Sequence, residues 1–527
     1  MRLLHGLLCA LPATPALAQL SADALLAPPA GSLGQFGLDV DLDGNQLIVS
    51  HREQGAWVYE LNENGEPTSV TPLPGTDPFF PTQTEWSVSI DGDLALIGYW
   101  QDNALVFDQG GATIFERKPG GQWLAEDELS IANLAGEQQF GRRVALQGQR
   151  VVVSEPHGAF LQFPGLTGTV YVYEPLGQGQ WGLQAELRPS PVAAGIAAGF
   201  GSGIALDGDR LLIGAPGDGE TSQGVWAQGA AYIFERQPDG SWNQMHKLEA
   251  ANEIEDHRLG QTVALHGDLA LCGSSPAFVA EGQDWSGSAT LFERTPAGEW
   301  LQIATLKAPQ PSNGDGFGVD VAIEADRAVV ASLEPRAVHV FRRQSTGLWE
   351  HELELQSSPN GAYFHPAVAL SDARLAFGNP AFGDGEGQLS VLRTGELYRG
   401  GTSISLASGG SQALELRAGS EHANALYLML GSASGTSPGL PLPGGSHLPL
   451  QLDPYLNFLL QASGGGLVAP FVGSLDAQGF ASASLQLPPG AAPTLAGTEL
   501  HHAYVALDPL TSAVEFASNA VRVQLEP

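Results

Sequence analysis

Phe200-Gly201-Ser202-Gly203-Ile204-Ala205-Leu206-Asp207-Gly208-Asp209-Arg210-Leu211-Leu212-Ile213-Gly214-Ala215-Pro216, followed after a loop by Gly229-Ala230-Ala231-Tyr232-Ile233-Phe234-Glu235-Arg236, decides the architecture of this chain. Two short apolar runs, 204–206 and 211–213, meet at Asp207-Gly208, a dipeptide that supplies the positive φ of a tight hairpin turn. A third run, 231–234, follows the loop. Trp242 opens a fourth after the turn Pro238-Asp239-Gly240. One unit therefore holds four consecutive antiparallel strands.

The unit recurs. Aligned without gaps, copies begin at Phe36, Thr84, Phe140, Phe200, Leu259, Phe317 and Phe364. Eight residues after each start comes the turn position: Gly44, Gly92, Gly148, Gly208, Gly267, Ala325 and Asp372. A tryptophan opens the fourth run in five copies, at Trp123, Trp181, Trp242, Trp300 and Trp349. Four strands per repeat, at spacings of 47 to 60 residues, is the signature of propeller blades, which bury their faces by stacking radially. The expected fold is all-β: a seven-bladed β-propeller over 19–399, followed by a C-terminal β-sandwich over 402–527.

The seventh copy lacks a fourth strand after Leu392, and the mature N-terminus offers one. Leu25, in Ala24-Leu25-Leu26-Ala27-Pro28, precedes Phe36 by the interval that separates Leu306 from Phe317 and Leu248 from Leu259. Residues 22–28 are expected to supply the outer strand of the last blade and close the ring, removing two open sheet edges.

Phe-Gly, an apolar strand, a Gly-Asp turn, then Leu-Leu-Ile-Gly-Ala-Pro and Gly-Ala-Ala-Tyr-Ile-Phe resemble the FG-GAP repeat family, in its short-turn bacterial branch. A longer-looped branch forms the propeller of integrin α-subunits. The resemblance spans about 22–395 and implies a secreted or surface propeller used for adhesion or ligand binding. Fold alone does not settle function. Integrin-type repeats often carry a calcium loop, and Asp39-Val40-Asp41-Leu42-Asp43-Gly44 is the nearest approach here. Alternating carboxylates suit a hard cation, so Asp39, Asp41 and Asp43 are the candidate metal ligands. Leu47 or Ser50 stands where a closing acid belongs. The alternative is one solvated strand face running into a turn.

Composition narrows the function classes. With 57 acidic against 23 basic residues the formal charge is −34, which repels phosphate backbones and argues against nucleic-acid partners. Arg2, the apolar run 3–11 and Ala16-Leu17-Ala18 read as a signal peptide over 1–18. Its cleavage would remove Cys9 and leave Cys272 without an intramolecular disulfide partner. No later apolar run is long enough to span a bilayer.

Beyond Arg399-Gly400-Gly401, aromatics and charges thin out, and short alternating runs separated by Gly- and Pro-rich turns suggest the sandwich. This tail resembles uncharacterised C-terminal modules of secreted bacterial repeat proteins. Gly435-Thr436-Ser437-Pro438-Gly439 fits the nucleophile-elbow letters, but Pro438 has no N–H to serve an oxyanion hole. Gly177-Gln178-Gly179-Gln180-Trp181-Gly182 fits a dinucleotide fingerprint without a helix to follow it. His501-His502 points to opposite strand faces and makes a poor chelate.

The reading is an exported, non-enzymatic binding or structural module for an extracellular or cell-surface protein or glycan. No firm cofactor is implied; calcium is the one candidate. Ligand contact would fall to the long loops after the second strands, with Phe160, Phe163, Trp226 and Trp285 as candidates. The rival is a secreted hydrolase or lyase with its site at the channel mouth. A cluster of His157, Asp218 and Asp284 there would favour it.

Overall fold

The computed structural model describes residues 24–526 apart from 27–35, 52–54, 63–64, 75–83, 102–109, 132–138, 157–166, 191–198, 220–227, 252–257, 276–285, 313, 335, 344–345, 357–365, 372–373, 380–386, 394–396, 400–402, 419–421, 435–439, 443–446, 449, 462–466, 477–478, 491–494, 510, 512 and 519–520. The chain divides into two compact units near Gly395.

The first unit is a succession of four-stranded antiparallel sheets, consistent with propeller blades. The quoted stretch forms the fourth, from Ile204–Asp207, Arg210–Ala215, Ala230–Arg236 and Trp242–Leu248, paired in chain order. Its turn holds Gly208 and Asp209, because Asp207 still pairs with Arg210 as the last residue of the strand. Gly208 has φ 58, and Gly44, Gly92, Gly148 and Gly267 lie between 55 and 58, so one positive-φ turn recurs. Ala325 adopts the same conformation, at φ 49, without glycine's freedom.

First strands start later than their Phe-Gly in most sheets, at Val144, Ile204, Thr262 and Asp320. The reason is that the opening dipeptide reaches back to the preceding sheet. Phe140 bridges Gly110, Leu259 bridges Gly229 and Phe317 bridges Gly287, each glycine lying just ahead of a third strand. Phe36, Phe140, Phe200, Leu259 and Phe317 are all fully buried.

The two glycine positions of the motif meet between sheets. A Cβ on Gly214 would overlap the carbonyl oxygen of Gly260, and Gly98 and Gly273 stand in the same relation to Gly141 and Gly318. Apolar cores fill these interfaces. Val152, Val170 and Leu187 of the third sheet, for example, pack with Phe200, Leu211 and Ile213 of the fourth. Each first strand packs on the first strand of the next sheet, and Val368–Ser371 of the last packs on Phe36–Asp43.

Ala24–Leu26 pairs with Gln388–Arg393 as the outer strand of the last sheet. The expected strand is in place, one residue out of register. Leu26, not Leu25, lies opposite Leu389, as Leu248 lies opposite Ala231 and Leu306 opposite Ala289. Side chains alternate faces along a strand, so this shift chooses which leucine enters the core. Leu26 is 4% exposed.

The second unit holds two main sheets that share one core. Leu414, Leu416 and Leu485 of one pack with Tyr427, Met429, Tyr504 and Val523 of the other. Ser403–Ser405 runs parallel to Val521–Glu526, and a helix, Pro454–Gln461, adds Leu459 to the core. The strand-only reading of this segment missed that helix. Asp453 caps it: its Oδ1 accepts the Leu456 N–H at 2.8 Å. No helix among the described residues is long and apolar enough to cross a membrane.

Candidate functional site in the central channel

The first strands line a channel of about 400 Å³. The repeat register dictates its wall. The fourth residue of each copy is Asp39, Ser87, Arg143, Gly203, Thr262, Asp320 or Ala367, and all of them line the cavity. The sixth and eighth residues form further layers, because alternate residues of a strand share a face.

Asp39, Asp41 and Asp43 fall on these three layers, and each is engaged by the second sheet. Asp39 Oδ2 accepts the Val88 N–H at 2.9 Å. Asp41 Oδ2 accepts the Ile90 N–H at 2.9 Å and the Ser89 hydroxyl at 2.8 Å. Asp43 Oδ2 accepts the Gly92 N–H at 2.7 Å. The remaining oxygens of Asp39 and Asp41 take the amides of Val40 and Leu42. Half-buried along the channel wall, the three acids lace one sheet to the next. Among the described residues, the group of three metal-ligating side chains whose ligand atoms lie within 4.8 Å of one another is His339, His351 and Glu354, and these aspartates are not in it.

The lacing continues around the channel. Ser87 and Ser89 accept the amides of Val144 and Leu146. At the turns, Gly148 donates to Asp91, Gly208 to Gln147, Gly267 to Asp207 and Gly44 to Ser371. An arginine that opens the preceding second strand completes the clamp: Arg210 donates to the Gly267 carbonyl at 2.7 Å and Arg374 to that of Gly44 at 2.9 Å. The Asp-Gly sequence thus has two duties in space. Its glycine makes one turn, and its aspartate holds the turn of the neighbour.

Two channel residues escaped the search for functional groups. Asp320 and Arg143 share the register of Asp39, so the gapless alignment already carried that signal. Removal from water pushes Asp320 up to about 7, Asp39 adding to the rise while the Val368 N–H and Arg143 oppose it. The same loss of hydration pushes Asp41 up to about 6 and raises Asp39, against the pull of the amides they accept. The channel therefore holds carboxyls that titrate near neutral pH, facing one guanidinium.

Phe160, Phe163, Trp226 and Trp285 lie outside the described residues, as do His157, Asp284, Ser437 and the segment 1–18. Asp218 is described: it accepts the Tyr232 hydroxyl and pairs with Lys247 at 3.3 Å. In the third sheet the Tyr171 hydroxyl donates to Glu155 at 2.6 Å in the same way. Both acids stand where a second strand runs into its loop. His502 is fully buried against the Tyr455 hydroxyl at 2.8 Å, and Cys272 is fully buried.

Comparison with known proteins gives the following. Residues 181–234 match the FG-GAP repeat family. No curated protein sequence matches the chain. A chain of the mitotic checkpoint complex overlays it with a TM-score of 0.44 at 13% identity, covering 73% of this chain and 98% of that one. U3-55K gives 0.45 at 11%, covering 71% and 99%. A protein from Lactobacillus plantarum gives 0.42 at 12%, covering 68% and 100%. The matched repeat opens at Trp181, in the outer strand of the third sheet, and ends at Phe234, in the third strand of the fourth. It thus spans the junction between the third and fourth sheets, where Gly201 faces Ser154: over residues 181–234 this chain carries an FG-GAP repeat.

Proposed function

We propose that this protein is an exported, non-enzymatic binding module: a seven-bladed FG-GAP β-propeller, closed by its N-terminal strand, with a β-sandwich tail. The unbroken cycle of first-strand contacts supports the blade count, and the core shared by two sheets supports the sandwich. The signal-peptide pattern of 1–18 supports export to the cell surface or beyond.

One observation carries the binding reading. Antiparallel order sends every tight turn between first and second strands to one end of the sheets, and every second-to-third connection to the other. The second strands that end at Glu155, Ala215 and Ser274 therefore all stop at a single end, from which their long connections depart. The channel wall, by contrast, has its carboxylates engaged by backbone amides, which suits a scaffold better than a catalytic centre. Variable loops on a rigid ring form a recognition face. An extracellular protein or glycan is the proposed ligand, and an acidic surface disfavours nucleic acid.

The test presents the full chain to a glycan array and to cell-envelope fractions, beside variants with 157–166, 220–227 and 276–285 replaced by Gly-Ser segments of equal length. Binding that disappears while the melt is unchanged supports the loop face. Binding that survives all three replacements overturns it, and turnover of a captured polysaccharide overturns the non-enzymatic reading.

A further inference from the structure

We propose that His339, His351 and Glu354 form a binding site for a divalent transition-metal ion of the zinc class on the sixth sheet. The sheet consists of Asp320–Glu324, Arg327–Ser332, Ala337–Arg343 and Trp349–Gln356. His339 lies on its third strand, and His351 and Glu354 lie on its fourth. Two imidazoles and a carboxylate are a donor set that such ions take readily.

His351 and Glu354 are three residues apart, a spacing that puts strand side chains on opposite faces unless a bulge intervenes. The fourth sheet shows the bulge that this repeat uses. There Phe234 faces Gln244 and Tyr232 faces Lys247, with a register shift between Ile233 and Phe234. Third strands of equal length, and a tryptophan heading each fourth strand, align Gln244 with His351, Lys247 with Glu354 and Tyr232 with His339. The extra residue returns positions three apart to one face, and the ligand atoms of all three residues lie within 4.8 Å of one another.

The spacing fits an ion. His339 Nδ1 and His351 Nε2 stand 3.3 Å apart. Two metal–nitrogen bonds of about 2.0–2.1 Å meeting at a tetrahedral angle hold their nitrogens roughly 3.3 Å apart. Outer partners orient the first imidazole. His339 Nε2 lies 3.3 Å from the Ser332 hydroxyl, which itself donates to the Ala337 carbonyl at 3.2 Å. With that proton committed, the hydroxyl oxygen accepts Nε2–H, and Nδ1 keeps its lone pair toward His351. This is the second-shell hydrogen bond that metal-ligating histidines use. Phe317 packs on His339 and Phe341 on His351, each with ring centroids 5.2 Å apart. His339 is buried, whereas His351 and Glu354 are half-buried, so an ion can enter from the outer side and keep a water as its fourth ligand.

The sister sheets set these positions to other residues. The counterparts of His339, Glu354 and His351 are Thr113, Glu128 and Ala125; Tyr171, Glu186 and Leu183; Tyr232, Lys247 and Gln244; and Thr290, Thr305 and Gln302. Among these sheets only the sixth brings three metal ligands together, at positions where the repeat itself tolerates residues that do not bind metal.

That tolerance supplies the test. The untagged full chain, stripped with chelator, is titrated calorimetrically with zinc chloride beside H339Y, H351Q and E354T, which borrow their residues from sister sheets and so preserve the fold. The expected result is a single ion per wild-type chain and a raised melting temperature. H339Y and H351Q should weaken binding by more than about tenfold while their metal-free melts stay near wild type. Absence of wild-type binding at micromolar zinc, or equal binding by H339Y and H351Q, overturns the site and leaves the two imidazoles as a plain hydrogen-bonded pair.

Discussion

Gly378 of the last sheet lies against Gly37 of the first, so close that a Cβ on Gly378 would overlap the Gly37 carbonyl oxygen. The contact joins residues 341 positions apart and repeats the one between Gly214 and Gly260 in neighbouring sheets. Gly378→Ala and Gly214→Ala should each force two backbones apart and cost about 1–3 kcal/mol in denaturant melts. Gly208→Ala, at φ 58 with nothing within 4 Å of the added carbon, should cost only about 1 kcal/mol. Equal losses at Gly378 and Gly208 would contradict the close-approach explanation.

Ala325 holds the turn conformation that glycine holds elsewhere. Ala325→Gly should relieve the left-handed strain and raise stability by up to about 1 kcal/mol, a gain partly offset by glycine's greater freedom in the unfolded chain. Urea unfolding of the two proteins checks the sign.

Leu26 seals the outer edge of the last sheet against Leu389. Leu26→Ala should destabilise by about 2–3 kcal/mol, and deletion of 19–30 should lower the melting temperature further, because an unpaired edge is added to the lost burial. A deletion that melts like the intact chain would remove the N-terminal strand from the structural account.

Asp320 carries a pH signature. Its folded value, about 7, lies above the ordinary 3.8, so between these limits the folded chain binds more protons than the unfolded one. This group therefore adds stability as pH falls through that window and loses it as pH rises toward 7. Asp320→Asn keeps an acceptor for the Val368 N–H and removes the charge. Its melting temperature relative to wild type should climb from pH 4 to pH 8; a flat difference would show that Asp320 titrates as an exposed acid.

The turn clamps predict a chemical contrast at Asp207. Asp207→Asn preserves an acceptor for the Gly267 N–H and should be nearly neutral, whereas Asp207→Ala should cost about 1 kcal/mol. The same logic extends to Asp43 and Gly92. Because Asp39, Asp41 and Asp43 already accept backbone amides, calcium added to chelator-stripped protein should leave the melt unchanged. A calcium-dependent rise in melting temperature, lost in Asp41→Asn, would restore the cation reading.

Much of this fold was legible along the chain because its instructions are local. Apolar runs of period two, turn glycines and a tryptophan at the head of a fourth strand each act within a few residues, and their recurrence along the chain reinforces the pattern. The N-terminal strand was legible as a presence but not in register, since Leu25 and Leu26 are equally apolar and only the opposing Leu389 chooses between them. The helix Pro454–Gln461 was missed because its eight residues are too few to show a clear helical period.

The sequence by itself determined the repeated four-stranded unit, its turn positions and the register that puts Asp39, Arg143 and Asp320 in one layer. Only the tertiary structure decided what those residues do. A carboxylate reads the same whether it faces water, a cation or a neighbour's amide, and its partner here lies about 50 residues away on another sheet. The same holds for His339, His351 and Glu354, whose ligand atoms meet within 4.8 Å although His339 and Glu354 lie on different strands.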